Sequence, residues 1–442
     1  MSIKVGMISL GCSKNQVDAE HMLARLHSEG FELCPKAELC DVVIVNTCGF
    51  IEDAKKESIE NILEMASLKE EGRVRVIAAT GCLAERYREE LVKEMPEVDI
   101  VLGIGNNDDI IEAIHSALQG QKTALFGEKR ALSLEGERVL ANESFYAYLK
   151  VSEGCDNRCS YCAIPLIRGD FRSRRMEDII VEAKTLAARG VREINVVAQD
   201  TTRFGEDNYG SLMLPELLTR LCEIRDLHWV RLLYCYPDRI TDELLMVMAR
   251  ETKIVKYMDI PVQHVSERVL KDMNRRGNGD SLRILLGEIR RKVPGIALRT
   301  TFITGFPGET EAEFEELCDF VKEIRFERLG CFAYSKEEDT PAALMADQID
   351  DEIKRRRADI VMEIQMGIAS ELGEGQIGRE LEVLCEGYDR RAKAWYGRSY
   401  MDAPDIDTKV FFTGKIKVEP GEFVQIKIKD TLDYDLIGTL AE

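Results

Sequence analysis

Residues 145–168 read FYAYLKVSEGCDNRCSYCAIPLIR. The opening apolar run predicts a strand. Directly after it Cys155, Cys159 and Cys162 stand in a C-x3-C-x2-C pattern, with an aromatic, Tyr161, before the last cysteine. Three thiolates on one short loop suffice to hold three irons of a cubane cluster and leave the fourth open to a substrate or cofactor. Zinc is the competing reading. Structural zinc takes four ligands, commonly from paired C-x2-C knuckles, and no fourth Cys or His follows here at short range.

The strand belongs to a series. FYAYLKVS, REINVVAQD, VRLLYCYP, YMDIPVQ, IALRTTFITG and RLGCFAYS alternate with helical stretches, which predicts a partial (β/α)6 barrel with its chemistry at the carboxyl ends of the strands. A charged helix between Asp347 and Leu372 closes that domain. Upstream, IKVGMISL, DVVIVNT and VRVIAAT read as buried strands of a parallel α/β domain, with helical periodicity from Gln16 to Glu29, Ile51 to Ala66 and Leu83 to Glu94. Each of these strands ends on a cysteine: Cys12, Cys48 and Cys82. In an open parallel sheet the carboxyl ends of the strands share one edge, so these thiols converge and a second three-cysteine site is expected. Against it stands the common fate of a free Cys as a small buried apolar residue. Beyond Gly373, RELEVLCEG, KVFFTGKIKV and EFVQIKIKD predict a small antiparallel β-barrel. The expected division of this α/β chain is 1–118, a linker over 119–142 rich in charge and Gly, 143–373 and 374–442.

With 442 residues and 45% apolar content, the chain has room for about three packed domains. It holds no run of eighteen apolar residues, and MSIKVGMISLGCSKN lacks the pattern of a secretory signal, so a cytoplasmic location without membrane contact is expected. Thiols stay reduced there, and thirteen cysteines are better explained by metal binding and burial than by disulfides. Cys34, Cys40, Cys222, Cys235, Cys318, Cys331 and Cys385 show no ligand spacing and are expected to be packing residues. A formal net charge of −20 argues against a large nucleic-acid surface and for a basic partner.

The C-x3-C-x-aromatic-C loop after a first barrel strand resembles the signature of the radical S-adenosylmethionine (SAM) superfamily. That resemblance implies a 4Fe-4S cluster on Cys155, Cys159 and Cys162, whose open iron is chelated by SAM and which releases a 5′-deoxyadenosyl radical. It also implies SAM contacts from Tyr161 in the cysteine loop, Gln199 and Asp200 after the second barrel strand, Gln263 after the fourth, and Gly305 and Glu309 of ITGFPGE after the fifth. The competing reading of each is a strand-end turn. The order of the three domains, with LGCSKN, VNTCGFIEDAKKES, ATGCLAERY and a C-terminal barrel of TRAM type, is similar to the methylthiotransferase family. This implies a second, auxiliary 4Fe-4S cluster on Cys12, Cys48 and Cys82. It further implies two uses of SAM, as methyl donor and as radical source, and a product carrying a methylthio group. An electron donor and a sulfur source are implied partners.

The family divides by substrate, between an adenosine derivative in tRNA and an aspartate β-carbon of the small-subunit ribosomal protein numbered twelve. DIPVQH, in which His264 stands, LGCSKN and GDFRSR resemble the protein-modifying branch. His264 itself reads equally well as a barrel histidine bonded to the backbone. Arg168, Arg172, Arg174 and Arg175 read most simply as a solvated or cluster-neutralising face, or else as contacts to a substrate carboxylate. The C-terminal barrel carries Trp395, Tyr396, Arg390, Arg391 and Arg398, but from Gln376 onward ten Lys and Arg face thirteen Asp and Glu. Asp402, Asp405 and Asp407 crowd one turn, which is expected to repel phosphates and attract a basic ribosomal protein. A tRNA substrate is the alternative. An iron–sulfur carrier without catalysis is a third reading, opposed by the full six-unit barrel.

Overall fold

The computed structural model describes residues 2–141 and 143–441. In chain order it begins with β1 (Lys4–Ser9), α1 (Ser13–Ser28), β2 (Glu32–Leu33), β3 (Val42–Thr47), α2 (Glu52–Glu70), β4 (Val76–Thr80), α3 (Gly81–Glu94), β5 (Ile100–Leu102), α4 (Ile110–Leu118) and β6 (Thr123–Leu125). The six strands form one sheet, parallel throughout, in the order β2-β1-β3-β4-β5-β6. Its middle is apolar on both faces: Val42 to Val45 and Ile77 to Ala79 are wholly buried, as strands covered by helices on each side must be. The three strands expected from sequence are β1, β3 and β4. The other three are two or three residues long, too short to show a period. The segment 119–142, expected as a linker, supplies β6 and buries Leu132 and Leu134 against Ile104.

The chain continues through β7 (Tyr146–Lys150), β8 (Ser152–Glu153), α5 (Ile164–Arg168), β9 (Arg172–Ser173), α6 (Met176–Ala188), β10 (Glu193–Val197), α7 (Leu214–Cys222), β11 (Trp229–Leu232), α8 (Asp242–Arg250), β12 (Ile254–Asp259), α9 (Glu267–Asp272), α10 (Gly279–Lys292), β13 (Ala297–Thr304), α11 (Glu311–Ile324), β14 (Arg328–Ala333) and α12 (Asp351–Glu374). β14-β13-β12-β11-β10-β7 form a second parallel sheet of six strands, as expected for a partial (β/α)6 barrel. β15 (Glu380–Asp389), β16 (Ala394–Ser399), β17 (Val410–Thr413), β18 (Phe423–Leu432) and β19 (Asp435–Leu440) close into a barrel. Its ladders are antiparallel except β17 with β19, which is parallel. Parity requires the exception: strands that alternate in direction cannot close a ring of five.

Two compact units result. One comprises Met1–Asn142, Ser152–Arg174 and Ser335–Ala343; the other comprises Glu143–Val151, Arg175–Tyr334 and Leu344–Glu442. Both cysteine trios therefore lie in the first unit. The C-terminal barrel shares a unit with the second sheet, and all six of that sheet's strands grip the segment around its 400–408 loop. Tyr148 of β7 donates to Asp405 at 2.8 Å, and Glu193 of β10 accepts from Arg398 at 2.6 Å. Arg231 of β11 donates to the Tyr400 carbonyl at 2.6 Å, and Tyr257 of β12 to Asp407 at 2.6 Å. Arg299 of β13 lies 3.4 Å from Asp407, and Arg328 of β14 pairs with Asp402.

These pairs correct the charge reading of that loop. Asp402 is 1% exposed and Arg398 2%, while the Asp407 side chain is 3% exposed. Asp402 and Asp407 are neutralised by Arg328 and Arg299, so these two neither repel phosphates nor attract a basic protein, while Asp405 stays exposed. Counting charges by composition gave them to the surface because it carries no information on where a side chain points.

Candidate functional site

The first trio is built at the carboxyl edge of the N-terminal sheet, where β1, β3 and β4 are neighbours. Cys12 caps the amino end of α1, Cys48 follows β3, and Cys82 lies in the first turn of α3. Two helix amino termini thus face the site, a setting that favours anionic sulfur. A glycine beside each cysteine permits the close approach. A Cβ on Gly11 (φ +85°) would stand 2.8 Å from Cys48 Sγ, one on Gly49 2.8 Å from the Leu83 backbone, and one on Gly81 (φ +86°) 2.5 Å from the Thr47 carbonyl.

Polar side chains tie the three strand ends together from within. The Asn15 amide donates to the carbonyls of Leu10 at 2.8 Å, Thr47 at 3.2 Å and Asn46 at 3.4 Å. Asn46 donates back to the Asn15 carbonyl at 2.8 Å and accepts from Thr80 Oγ1 at 3.3 Å; Thr47 Oγ1 donates to the Thr80 carbonyl at 2.5 Å. Asn15, Asn46, Thr47 and Thr80 are all 1% exposed or less. They are the N of LGCSKN, the NT of VNTC and the T of ATGC.

Electrostatics confirm that the thiols sense each other. Burial, then the charge of Cys82, pushes the Cys48 thiol up to about 12. Cys82 is also raised, by burial against the opposing pull of Arg168. Cys12 keeps solvent access; the protein crowded around it would raise its thiol, but Lys14 and Arg168 outweigh this and bring it down. Three crowded thiols that cannot all ionise alone, with cations beside them, are a donor set suited to a thiolate-ligated iron–sulfur cluster.

The second trio lies on the loop between β8 and α5. Cys155, Cys159 and Cys162 are half-buried. The Cys155 amide donates to the Gly169 carbonyl at 3.1 Å and the Cys162 amide to the Cys159 carbonyl at 3.0 Å, which folds the loop back on itself. Gly154 (φ +76°) makes this possible, since a Cβ there would stand 2.2 Å from the Asp170 carbonyl. Cys82 shares one apolar cluster with Ala163 and Ile167, so a cysteine of the first trio and the residue after Cys162 belong to the same packed group.

The arginines in and beside GDFRSR are not one solvated face. Arg168 is 3% exposed, with Nη2 at 3.1 Å from Cys82 Sγ. Arg174 is 3% exposed and clasps Glu135, and Arg172 donates to the carbonyls of Arg130 and Leu132. Arg175, with its side chain 74% exposed, is the solvated member. Tyr161 lies half-buried in the cysteine loop.

In the second unit, Gln263 pairs through its backbone with Thr301 and Ile303 of β13, and Gly305 bonds Glu309 just beyond that strand. Gln263 has φ +72°, and its Oε1 is buried without a hydrogen-bond partner. Glu309 is 4% exposed; it accepts from the Gly305 amide at 2.8 Å and from Arg357 at 2.7 Å. His264 is fully buried, its Nδ1 accepts from the Ser266 amide at 3.1 Å, and Nε2 lies 3.5 Å from Glu309. With Nδ1 as acceptor, the ring proton is on Nε2 and faces the carboxylate. Asp200 belongs to a different group, accepting from Thr202 at 2.6 Å and Arg239 at 3.3 Å, and Gln199 precedes it half-buried. The unpartnered Gln263 oxygen is the feature that fits a bound polar cofactor; Glu309 and Asp200 are already engaged by protein. Of the cysteines expected to pack, Cys40, Cys235, Cys318 and Cys385 are buried, while Cys34, Cys222 and Cys331 are half-buried.

Comparison with known proteins matches residues 4–103 to the uncharacterized protein family UPF0004, residues 149–321 to the radical SAM superfamily and residues 377–440 to the TRAM domain. The chain is 50% identical over 438 residues to the ribosomal protein uS12 methylthiotransferase RimO of Lachnoclostridium phytofermentans, covering 99% of this chain and 100% of that one. It is 50% identical over 440 residues to the protein of the same name from Pelotomaculum thermopropionicum, covering 99% of each. Among solved structures, the radical SAM methyltransferase TsrM of Kitasatospora setae, with cobalamin and a 4Fe-4S cluster bound, superposes with a TM-score of 0.58 at 16% identity over 78% of this chain and 77% of that one, a likeness of fold alone. No described helix is long and apolar enough to cross a membrane.

Proposed function

Because the chain belongs to the ribosomal protein uS12 methylthiotransferase family, within the radical SAM superfamily, we propose that it replaces a hydrogen on the β-carbon of an aspartate of ribosomal protein uS12 by a methylthio group. The observation that carries this reading is that both cysteine trios fold into one compact unit, with Cys82 in the same apolar cluster as Ala163, the neighbour of Cys162, and Ile167. An unactivated C–H bond offers no acidic proton, so it must be opened by hydrogen abstraction, and sulfur must then be within reach of the carbon radical.

Membership of the superfamily brings a 4Fe-4S cluster and SAM; a second cluster on Cys12, Cys48 and Cys82 is our proposal. When bound, the cluster on Cys155, Cys159 and Cys162 supplies the electron that cleaves SAM to a 5′-deoxyadenosyl radical. The protein's part is to position. The folded-back loop holds three sulfurs that would bind three irons of the cluster, and the two helix amino termini, Lys14 and Arg168 would compensate negative charge at the other trio. Tyr161 of the loop and Gln199, Asp200, Gln263, Gly305 and Glu309 are the proposed SAM contacts, with Gln263 supported by its unpartnered oxygen. The basic character of a ribosomal protein suits the net charge of −20.

Mass spectrometry of uS12 and of tRNA from cells lacking the gene tests the substrate. Loss of the methylthio mass from uS12 is expected, and its loss from tRNA alone would sink the proposal. In the purified protein, replacing Cys155, Cys159 and Cys162 by Ala should abolish reductive SAM cleavage. Replacing Cys12, Cys48 and Cys82 by Ala should lower iron content and stop sulfur insertion while SAM cleavage continues; unchanged iron would show the second cluster to be misassigned.

A further inference from the structure

Arg168 closes α5, six residues after Cys162. Its guanidinium is buried among Asp18, to which Nη1 donates, Glu153 at 3.4 Å, Asn15 Oδ1 at 2.9 Å and Cys82 Sγ at 3.1 Å. The two carboxylates satisfy its charge. The planar fork then aims its second nitrogen at Asn15, the residue that ties the strand ends together, and at the sulfur of Cys82. An N–H···S bond from a permanent cation draws charge from a metal-bound thiolate and favours the more negative, reduced state of the metal.

We propose that Arg168 is a positioning residue that orients Cys82 and raises the reduction potential of the cluster held by Cys12, Cys48 and Cys82. This rests on the reading of that trio as a cluster site. A purely structural ion pair with Asp18 would stabilise the fold without moving a potential.

The test uses full-length protein in which Cys155, Cys159 and Cys162 are replaced by Ala, reconstituted with iron and sulfide and followed by EPR during a redox titration. Arg168→Gln is expected to shift the midpoint to more negative potential at unchanged iron content, and Arg168→Lys to shift it less. Equal midpoints at equal iron would overturn the proposal. Should Arg168→Gln fail to fold, electron–nuclear double resonance on the parent labelled with nitrogen-15 arginine decides: a coupled guanidinium nitrogen is expected, and its absence overturns the inference. A parent that binds no iron would overturn the cluster reading itself, an outcome distinct from iron bound with no shift.

Discussion

Asn15 organises the first trio although it is not a ligand. Its two amide hydrogens are shared among three carbonyls from the strand ends that precede Cys12 and Cys48, and its oxygen accepts from Arg168. Asn15→Ala strands these groups in a fully packed interior, and a loss of about 2 kcal/mol is expected, read by denaturant unfolding of the metal-free protein, together with reduced iron on reconstitution. The three cysteines could be singled out in sequence because each ends a strand of a parallel sheet, where strand ends share one edge. Asn15 was not, and Arg168 was read only as one member of a solvated or cluster-neutralising face, because their bonds run to partners up to 153 residues away.

At the scale of elements, helix ends do most of the positioning. α1 and α3 begin at Cys12 and Gly81, so their amino termini are part of the site. α11 follows the Gly305–Glu309 turn and starts with a capping box, in which Thr310 Oγ1 accepts from the Glu313 amide at 3.3 Å and Glu313 accepts from the Thr310 amide at 2.9 Å. Thr310→Ala should cost about 1 kcal/mol in chemical unfolding. Burial alone would raise the Glu313 carboxyl, but Arg268 and Thr310 outweigh it and hold it at about 2, against an ordinary 4.5. A depressed folded-state value means that its contribution is complete above pH 4.5 and is lost as pH falls towards 2. Glu313→Gln should therefore flatten the unfolding free energy across that window; an identical acid profile in wild type and variant would refute the assignment. The sequence TEAEFEEL shows this cap openly, since capping chemistry is local. β2, β5 and β6 stayed hidden because two or three residues cannot display alternation.

For the second unit as a whole, the sheet and the C-terminal barrel are joined by buried ion pairs. Desolvation opposes ionisation of Asp402, yet Arg328, Ser399 and Thr408 hold its carboxyl below the usual range. Burial, relieved by Arg299 and Arg328, raises Asp407. Arg328→Met leaves Asp402 buried without its cation and should cost about 3 kcal/mol, measured by denaturant midpoint, with Asp402→Asn in the same background restoring part of the loss. The three-part architecture was readable from the order of motifs. The direction of the charged side chains was not, and two of the three aspartates taken for a surface, Asp402 and Asp407, proved to be interior. A C-terminal barrel anchored in this way is not an interchangeable cartridge. Grafting a foreign barrel in place of residues 377–440 would strip Arg231, Arg299 and Arg328 of their partners, so a chimera that changes substrate choice must carry the 398–408 segment with it or rebuild the barrel residues that hold it.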